Sequence, residues 1–221
     1  MSANMINLIL ASTLDTLFMV AVAAAIGIVF GAPLGVFLAT SRKGELYAAP
    51  MVNRLLGVVV NALRSTPFII LVVAIIPLTR FLTGTSIGTT AAIVPLTIAT
   101  IPFVARLVES AIREVDPGLV EAARAFGASP LQIVWKVLLP EAMPAVTLAL
   151  TLAIVSLIGY SAMVGAVGGG GLGDLGIRYG YQRFMPEVMA TVVAVLICLV
   201  QGVQSLGDFI ARRLDKRTRT S

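Results

Sequence analysis

The sequence predicts an all-α polytopic membrane protein with about five transmembrane helices, and three observations carry the prediction. The chain is 58% hydrophobic and only 12% charged, whereas soluble domains are roughly half apolar and a quarter charged. Its apolar residues fall into runs of about 20, enough for a helix rising ~1.5 Å per residue to cross a hydrocarbon core about 30 Å thick. Basic residues concentrate in alternate connections between these runs, the pattern that sets membrane topology. Backbone groups in lipid must be satisfied within the segment, which selects helices over open sheets. The whole chain, 1–221, reads as one transmembrane domain.

The first span is predicted from Leu14 to Ala39. Ahead of it there is no basic n-region and no small-residue cleavage site, so no removable signal peptide is expected. The second span falls between Met51 and Thr79, with Asn53, Arg54, Asn61 and Arg64 in its first half. An arginine at the bilayer centre costs at least a few kcal/mol. Residues before Arg64 are therefore expected in the interface or projecting into the cytoplasm. Arg64 would snorkel at the inner surface, Arg80 at the outer, and Pro67 to Leu82 would make most of the crossing. The third span is predicted from Ile87 to Val108, kinked by Pro95 and Pro102. The fourth runs from Pro140 to Val167 and the fifth from Val188 to Ile210.

The first loop carries Arg42, Lys43 and Arg54, and the third carries Arg106, Arg113, Arg124 and Lys136. The tail carries Arg212, Arg213, Lys216, Arg217 and Arg219, whereas the second loop has only Arg80 and the fourth has Arg178 and Arg183. The N-terminus is expected outside and the C-terminus inside. The net charge of +5 thus marks topology beside anionic lipid rather than a nucleic-acid patch. With no His and one Cys, Cys198, a disulfide within one chain is excluded and a Cys/His metal site lacks ligands. Cys198 sits in an apolar run and is expected to be a buried packing residue.

Between spans four and five, Gly171, Gly173 and Gly176 spell G-x-G-x-x-G. A dinucleotide turn needs a preceding strand of a βαβ unit and an acidic residue about 20 positions later, and this segment has neither. Its glycines are expected to permit close backbone packing or a sharp turn near the outer mouth. No G-x-x-x-x-G-K-[ST] loop occurs, so ATP hydrolysis is not expected on this chain.

The third loop, about 109–139, is polar yet rich in helix signals. Asp116 can cap with Pro117 at the first helical position. Leu119, Val120, Ala123 and Phe126 then share a face. Gly127 suits a helix stop, and Ser129 with Pro130 repeats the start. A second helix would carry Leu131, Val134, Trp135 and Leu138 on one face, with Pro140 leading into span four. This predicts two short helices broken at a glycine at the inner surface.

Within that loop stand Glu121, Ala122 and Ala123, three residues, Gly127, nine residues, Val137, one residue, then Leu139 and Pro140. The spacing resembles the EAA motif of permease subunits of ABC importers, with Val137 where the family has Ile or a similar residue. Three longer stretches, Arg64 to Gly88, Ala91 to Glu109 and Gly159 to Gly176, look like the permease of methionine importers. The resemblance covers nearly the whole chain and implies a type I ABC importer permease fold. It implies that the third loop is a coupling helix docking on a separate ATPase, through Glu121, Ala122, Ala123, Gly127, Leu139 and Pro140. It also implies two copies of this chain, two ATP-binding subunits holding ATP and Mg²⁺, and an external substrate-binding protein, often a lipoprotein. No cofactor is implied on this chain, and the implied location is the bacterial inner membrane. The implied cargo is methionine.

Five helices can hardly enclose a pathway alone, so passage is expected at the seam between two copies. Ser156, Tyr160 and Met163 share a face of span four at i, i+4 and i+7, with Ser161 adjacent. They are candidates for pathway lining, or for ordinary helix packing. Thr147 and Thr151 point elsewhere and read as packing residues. Arg178, Tyr179, Tyr181 and Arg183 in the outer loop could meet the binding protein or anchor the interface. A permease for another amino acid or small organic ion is the alternative within transport. An ion-coupled secondary transporter would need paired ionisable groups at mid-membrane, which the spans do not display.

Overall fold

The computed structural model describes residues 3–215, and they are helical with no β-strand. Lys216, Arg217 and Arg219, expected to set topology, lie outside the described residues. The elements are α1 (Ala3–Thr40), α2 (Pro50–Ser65), α3 (Phe68–Ala74), α4 (Ile76–Thr83), α5 (Thr89–Arg113), α6 (Pro117–Ala125), α7 (Pro130–Ile133), α8 (Leu139–Gly165), α9 (Gly171–Leu175) and α10 (Pro186–Leu214). Four helices are long and apolar enough to cross a membrane, and the bent pair α2–α3 allows a fifth span.

α1 starts earlier than predicted because its first turns are packed. Ile9 is buried with Leu172, Leu175, Val188 and Val192, and Met5 and Leu8 pack against that cluster. The tightest helix pair is α1 with α5. Gly27, Gly31 and Gly35 recur every four residues on one face of α1, with the Thr100 side chain over Gly27 and the α5 backbone over the other two. A Cβ on Gly31 would sit 2.7 Å from the Ile101 carbonyl oxygen, and one on Gly35 2.5 Å from that of Ala105. Small residues let helices approach in lipid, where packing replaces the hydrophobic drive. α5 runs unbroken through Pro95 and Pro102.

Two clusters fill the bundle between α1, α5 and α8. One joins Met19, Val20, Leu96, Leu157 and Ile158 with Phe68 and Leu71 of α3. The other joins Val104, Val108 and Ile112 with Ile133, Leu138 and Val146 at the third-loop end. α10 packs on α8 where Gly207 meets the buried Thr151, which bears out the packing role read for that threonine. The rest of α10 is largely uncovered, and Cys198 on it is exposed. The expectation of a buried Cys198 is therefore corrected: the apolar run that carries it leaves Cys198 on the outside of the protomer.

The break before the expected crossing segment is present: α3 and α4 together cover Phe68–Thr83, and α2 packs antiparallel to α5 ahead of them. Asn53 Nδ2 donates to the Leu38 carbonyl and to Ser41 Oγ, at 2.8 and 2.9 Å. Further along, Asn61 Oδ1 accepts from Arg106 at 2.6 Å. Arg64 then reaches the Phe103 ring, 5.9 Å from its centroid. Phe103 is about 9 Å further along α5 than Glu109 at ~1.5 Å per residue. Asn53 and Asn61 thus find partners on α1, the loop after it and α5, whereas Arg54 and Arg64 are exposed. The chain then bends by 101° into α3, and Pro67 stands at the break.

Candidate functional site

The third loop folds as its residues dictate at the first helix. The Asp116 carboxylate accepts from Gly118 N at 2.8 Å, and Pro117 takes the first helical position. α6 stops where Gly127 adopts φ +77°, a left-handed conformation that a side chain strains. Ser129 starts α7 with a capping box: its hydroxyl accepts from Gln132 N, and its own N–H donates to Gln132 Oε1 at 2.9 Å. Ser-x-x-Gln spells that box in the sequence.

The second predicted helix is corrected. α7 does not end before span four. It passes through a π-helical turn, Val134–Leu138, into α8, so Pro130–Gly165 is one rod. A π turn holds more residues per turn and shifts the buried face. Ile133 is buried beside Val134 and Leu138, whereas Leu131 and Trp135 of the predicted face are exposed. On α6, Val120 and Ala123 pack inward while Phe126 is 91% exposed. Glu121, Ala122 and Gly127 are exposed together on the loop surface, and Ala123 is half-buried. Leu139 and Val137 pack against the second cluster, with Pro140 exposed at the foot of α8. Glu121 and Arg124 edge a cavity of about 360 Å³ shared with Glu45 and Leu46 of the first loop. Glu121, Ala122 and Gly127 thus share an exposed surface on α6 and the turn after it, just ahead of the rod whose foot carries Leu139 and Pro140.

Beside this surface lies a charge cluster that the sequence reading missed. Glu109 is 2% exposed, yet its carboxylate accepts from Arg42 at 2.8 Å and from Arg106 at 2.5 Å. The i,i+3 spacing of Arg106 and Glu109 was a legible signal, whereas Arg42 arrives only through the fold. The cluster ties the loop after α1 to α5 and, through Asn61, to α2. Removing the carboxylate would leave two guanidinium groups unpaired. Glu109→Gln is expected to lower stability by about 3 kcal/mol, the lower end for a broken buried pair because the arginines are partly solvated. Thermal unfolding in detergent checks this, with the exposed Glu45→Gln expected to be neutral.

On α8, Met163 is exposed, Ser156 is partly exposed and donates to the Leu152 carbonyl, and Tyr160 is partly exposed. Tyr160 stacks on Phe68, ring centroids 4.4 Å apart and planes 17° from parallel. Ser161 is placed on the opposite, packed side, buried and donating to the Ile158 carbonyl at 2.7 Å. The structure therefore brings Ser156, Tyr160 and Met163 to one open face and leaves Ser161 inside the protomer.

At the far end, the glycine segment does both things expected of it. Gly168, Gly170 and Gly171 have positive φ and turn the chain. α9 then lies back on α8: a Cβ on Gly173 would meet the Ala162 backbone at 2.6 Å. Leu172 N donates to Thr16 Oγ1 at 2.8 Å, fastening α9 to α1. Of the candidate docking residues, Arg178 pairs with Asp174, Arg183 lies over the Tyr179 ring at 4.4 Å, and Tyr181 is exposed. Tyr179 is partly covered against the Leu172–Val188 cluster.

Comparison with known proteins agrees with this architecture. Residues 31–220 match the family model described as binding-protein-dependent transport system inner membrane component. The chain is 57% identical to the probable D-methionine transport system permease protein MetI of Vibrio cholerae, over 96% of this chain and 94% of that protein. It is 50% identical to the D-methionine transport system permease protein MetI of Escherichia coli, over 75% of this chain and 76% of that one. Its fold matches a chain of the MetNI methionine ABC transporter solved in inward facing conformations, with TM-score 0.95 and 49% identity, covering 98% of this chain and 100% of that chain. A helical bundle carrying the EAA spacing on an exposed loop, matched over most of its length by this family, belongs to the binding-protein-dependent transport system inner membrane components.

Proposed function

We propose that this chain is the membrane-spanning subunit of an ATP-driven methionine importer and that two copies form the pathway. The carrying observation is the 0.95 TM-score match, over 98% of the chain, to a methionine ABC transporter. The positive-inside pattern supports an external N-terminus and a cytoplasmic third loop. The face formed by Glu121, Ala122, Ala123 and Gly127 would dock on an ATP-binding subunit, one per copy, where ATP and Mg²⁺ are held. The unbroken α7–α8 rod, footed at Leu139 and Pro140, would carry its movement into the membrane. Closure of the ATPase pair would open the pathway outward, and hydrolysis would reset it inward. An external binding protein would deliver L- or D-methionine at the end bearing Arg178, Tyr179, Tyr181 and Arg183.

Ser156, Tyr160 and Met163 would line the seam between copies, with Ser161 behind them. A tyrosine hydroxyl facing a wet seam avoids the cost of burial in lipid. The test is reconstitution of this chain in liposomes with its ATPase and binding protein. ATP-dependent uptake of radiolabelled L-methionine is expected, with little uptake of alanine. Uptake that needs no ATP, or that favours another amino acid, would overturn the reading.

A further inference from the structure

Among the described residues, Phe184 is the only one besides glycines with a positive φ, at +52°. A bulky side chain in that region is a backbone outlier, and glycine would hold the same turn without strain. Burial does not account for the phenylalanine either, because it is 86% exposed. Neither the backbone nor the packing of this protomer therefore requires an aromatic ring at the position.

The turn that displays the ring is firmly fixed. A π-helical turn, Gly176–Tyr181, leads into it. Phe184 N donates to the Tyr181 carbonyl and Met185 N to the Tyr179 carbonyl, at 3.3 and 3.2 Å. Gly180 lies so close to α10 that a Cβ there would stand 2.9 Å from Met189 Cβ. Pro186 then opens α10, and the buried Val188 seats it beside Leu172 and Leu175. Backbone strain persists where the surroundings over-determine it, and such positions cluster at ligand clamps and switch regions. A ring held in this way has little freedom left to lose on association.

The neighbours of the ring narrow what covers it. Every residue from Tyr181 to Glu187 is exposed, and Arg183 and Glu187 carry charge on either side of Phe184 in the chain. Charged side chains exposed on the protein belong at the level of water and headgroups, outside the hydrocarbon. The aromatic residues that anchor at headgroups are tryptophan and tyrosine, through their polar tips, and phenylalanine has none. Aromatic residues and arginine are enriched at the centres of protein–protein contacts, and here Tyr181, Arg183 and Phe184 stand within four positions. The family to which the chain belongs is described as binding-protein-dependent, which supplies a protein partner.

We propose that Phe184 is an anchor that inserts its ring into an apolar socket on the external binding protein, held in advance by its left-handed backbone. This rests on the importer reading, which places this end outside, and adds to it a residue that the sequence pattern does not single out.

A photoreactive p-benzoylphenylalanine at position 184, irradiated in the chain–ATPase complex with binding protein present, is expected to cross-link to the binding protein. In liposomes, Phe184→Ala and Phe184→Gly should each raise the binding-protein concentration for half-maximal methionine uptake at least tenfold. The maximal rate should approach that of wild type, and Phe184→Leu should recover part of the loss. Phe184→Gly removes the strain together with the ring, so its Tm should be no lower than that of wild type and it should co-purify with the ATPase in normal yield. Its deficit then reports the missing ring and not a misfolded turn. If the cross-link goes to lipid or to a second copy, or if Phe184→Gly half-saturates within twofold of wild type, the anchor is refuted and the importer reading stands. If the wild type takes up no methionine at any binding-protein concentration, the importer reading itself fails.

Discussion

Gly31→Leu is expected to remove most folded chain from the membrane. The Gly31 position of α1 faces α5 with no room for a Cβ, which would lie 2.7 Å from the Ile101 carbonyl oxygen and 2.9 Å from Val104 Cβ. Backbone stands on one side and a fully buried valine on the other, so nothing flexible can yield. Overpacking of a tight core costs about 1–3 kcal/mol when side chains can adjust, and a backbone clash across the main helix pair of the bundle should exceed that range. Val104 and Val108 belong to the cluster that seats the third-loop end, so the damage would spread to the base of α8. Size-exclusion chromatography of a fluorescent fusion checks it, with a monodisperse peak reduced at least fivefold. Gly202→Ala on α10 is the control, since its Cβ meets nothing within 4 Å. That change removes a flexible residue from a helix and should stabilise by about 0.5–1 kcal/mol.

Glu121→Lys and Gly127→Val are expected to abolish ATP-driven uptake while leaving the chain folded. Glu121 is exposed, so reversing its charge costs this subunit little but opposes a basic partner surface across the proposed interface. Like charges brought together at an interface cost several kcal/mol. Gly127 stands at φ +77°, where a β-branched residue is a genuine outlier. The valine would re-aim the turn between α6 and α7, and with it the start of the rod that enters the membrane. Methionine uptake in liposomes should fall at least tenfold for each variant, and co-purified ATPase should fall in parallel. Undiminished co-purification and uptake in both would mean that the third loop is not the docking element. Arg124→Gln, at the edge of the neighbouring cavity, should show a smaller effect.

Much of this was legible before any coordinates. Helix class, span count and the positions of spans one, three, four and five followed from apolar runs, because lipid forces each run to satisfy its own backbone. Asp116, Pro117, Gly127, Ser129 and Pro130 placed the helices of the third loop to within a residue or two, since caps and left-handed glycines are local chemistry. Those local rules failed where a long-range contact outvoted them. The π turn at Val134–Leu138 rotated the face that Leu131 and Trp135 were meant to share. The contact of Asn61 with Arg106 could not be read ahead, because the two lie 45 residues apart in the chain. Cys198 looked buried because an apolar run does not say whether protein or lipid covers it.

By itself, then, the sequence determined an all-helical membrane subunit, the alternation of its basic loops and the EAA spacing on an ordered third loop. All three depend on the solvent or on neighbours within a few residues. Only the tertiary structure decided that Glu109 would be held by two arginines from different segments, that Tyr160 would stack on Phe68, and that the chain would bend by 101° between α2 and α3. Those arrangements depend on which helices approach closely enough to share a polar group. That approach is set by glycine faces such as Gly27, Gly31 and Gly35 acting on a partner helix about 70 residues away in the chain, a distance over which no local pattern carries information.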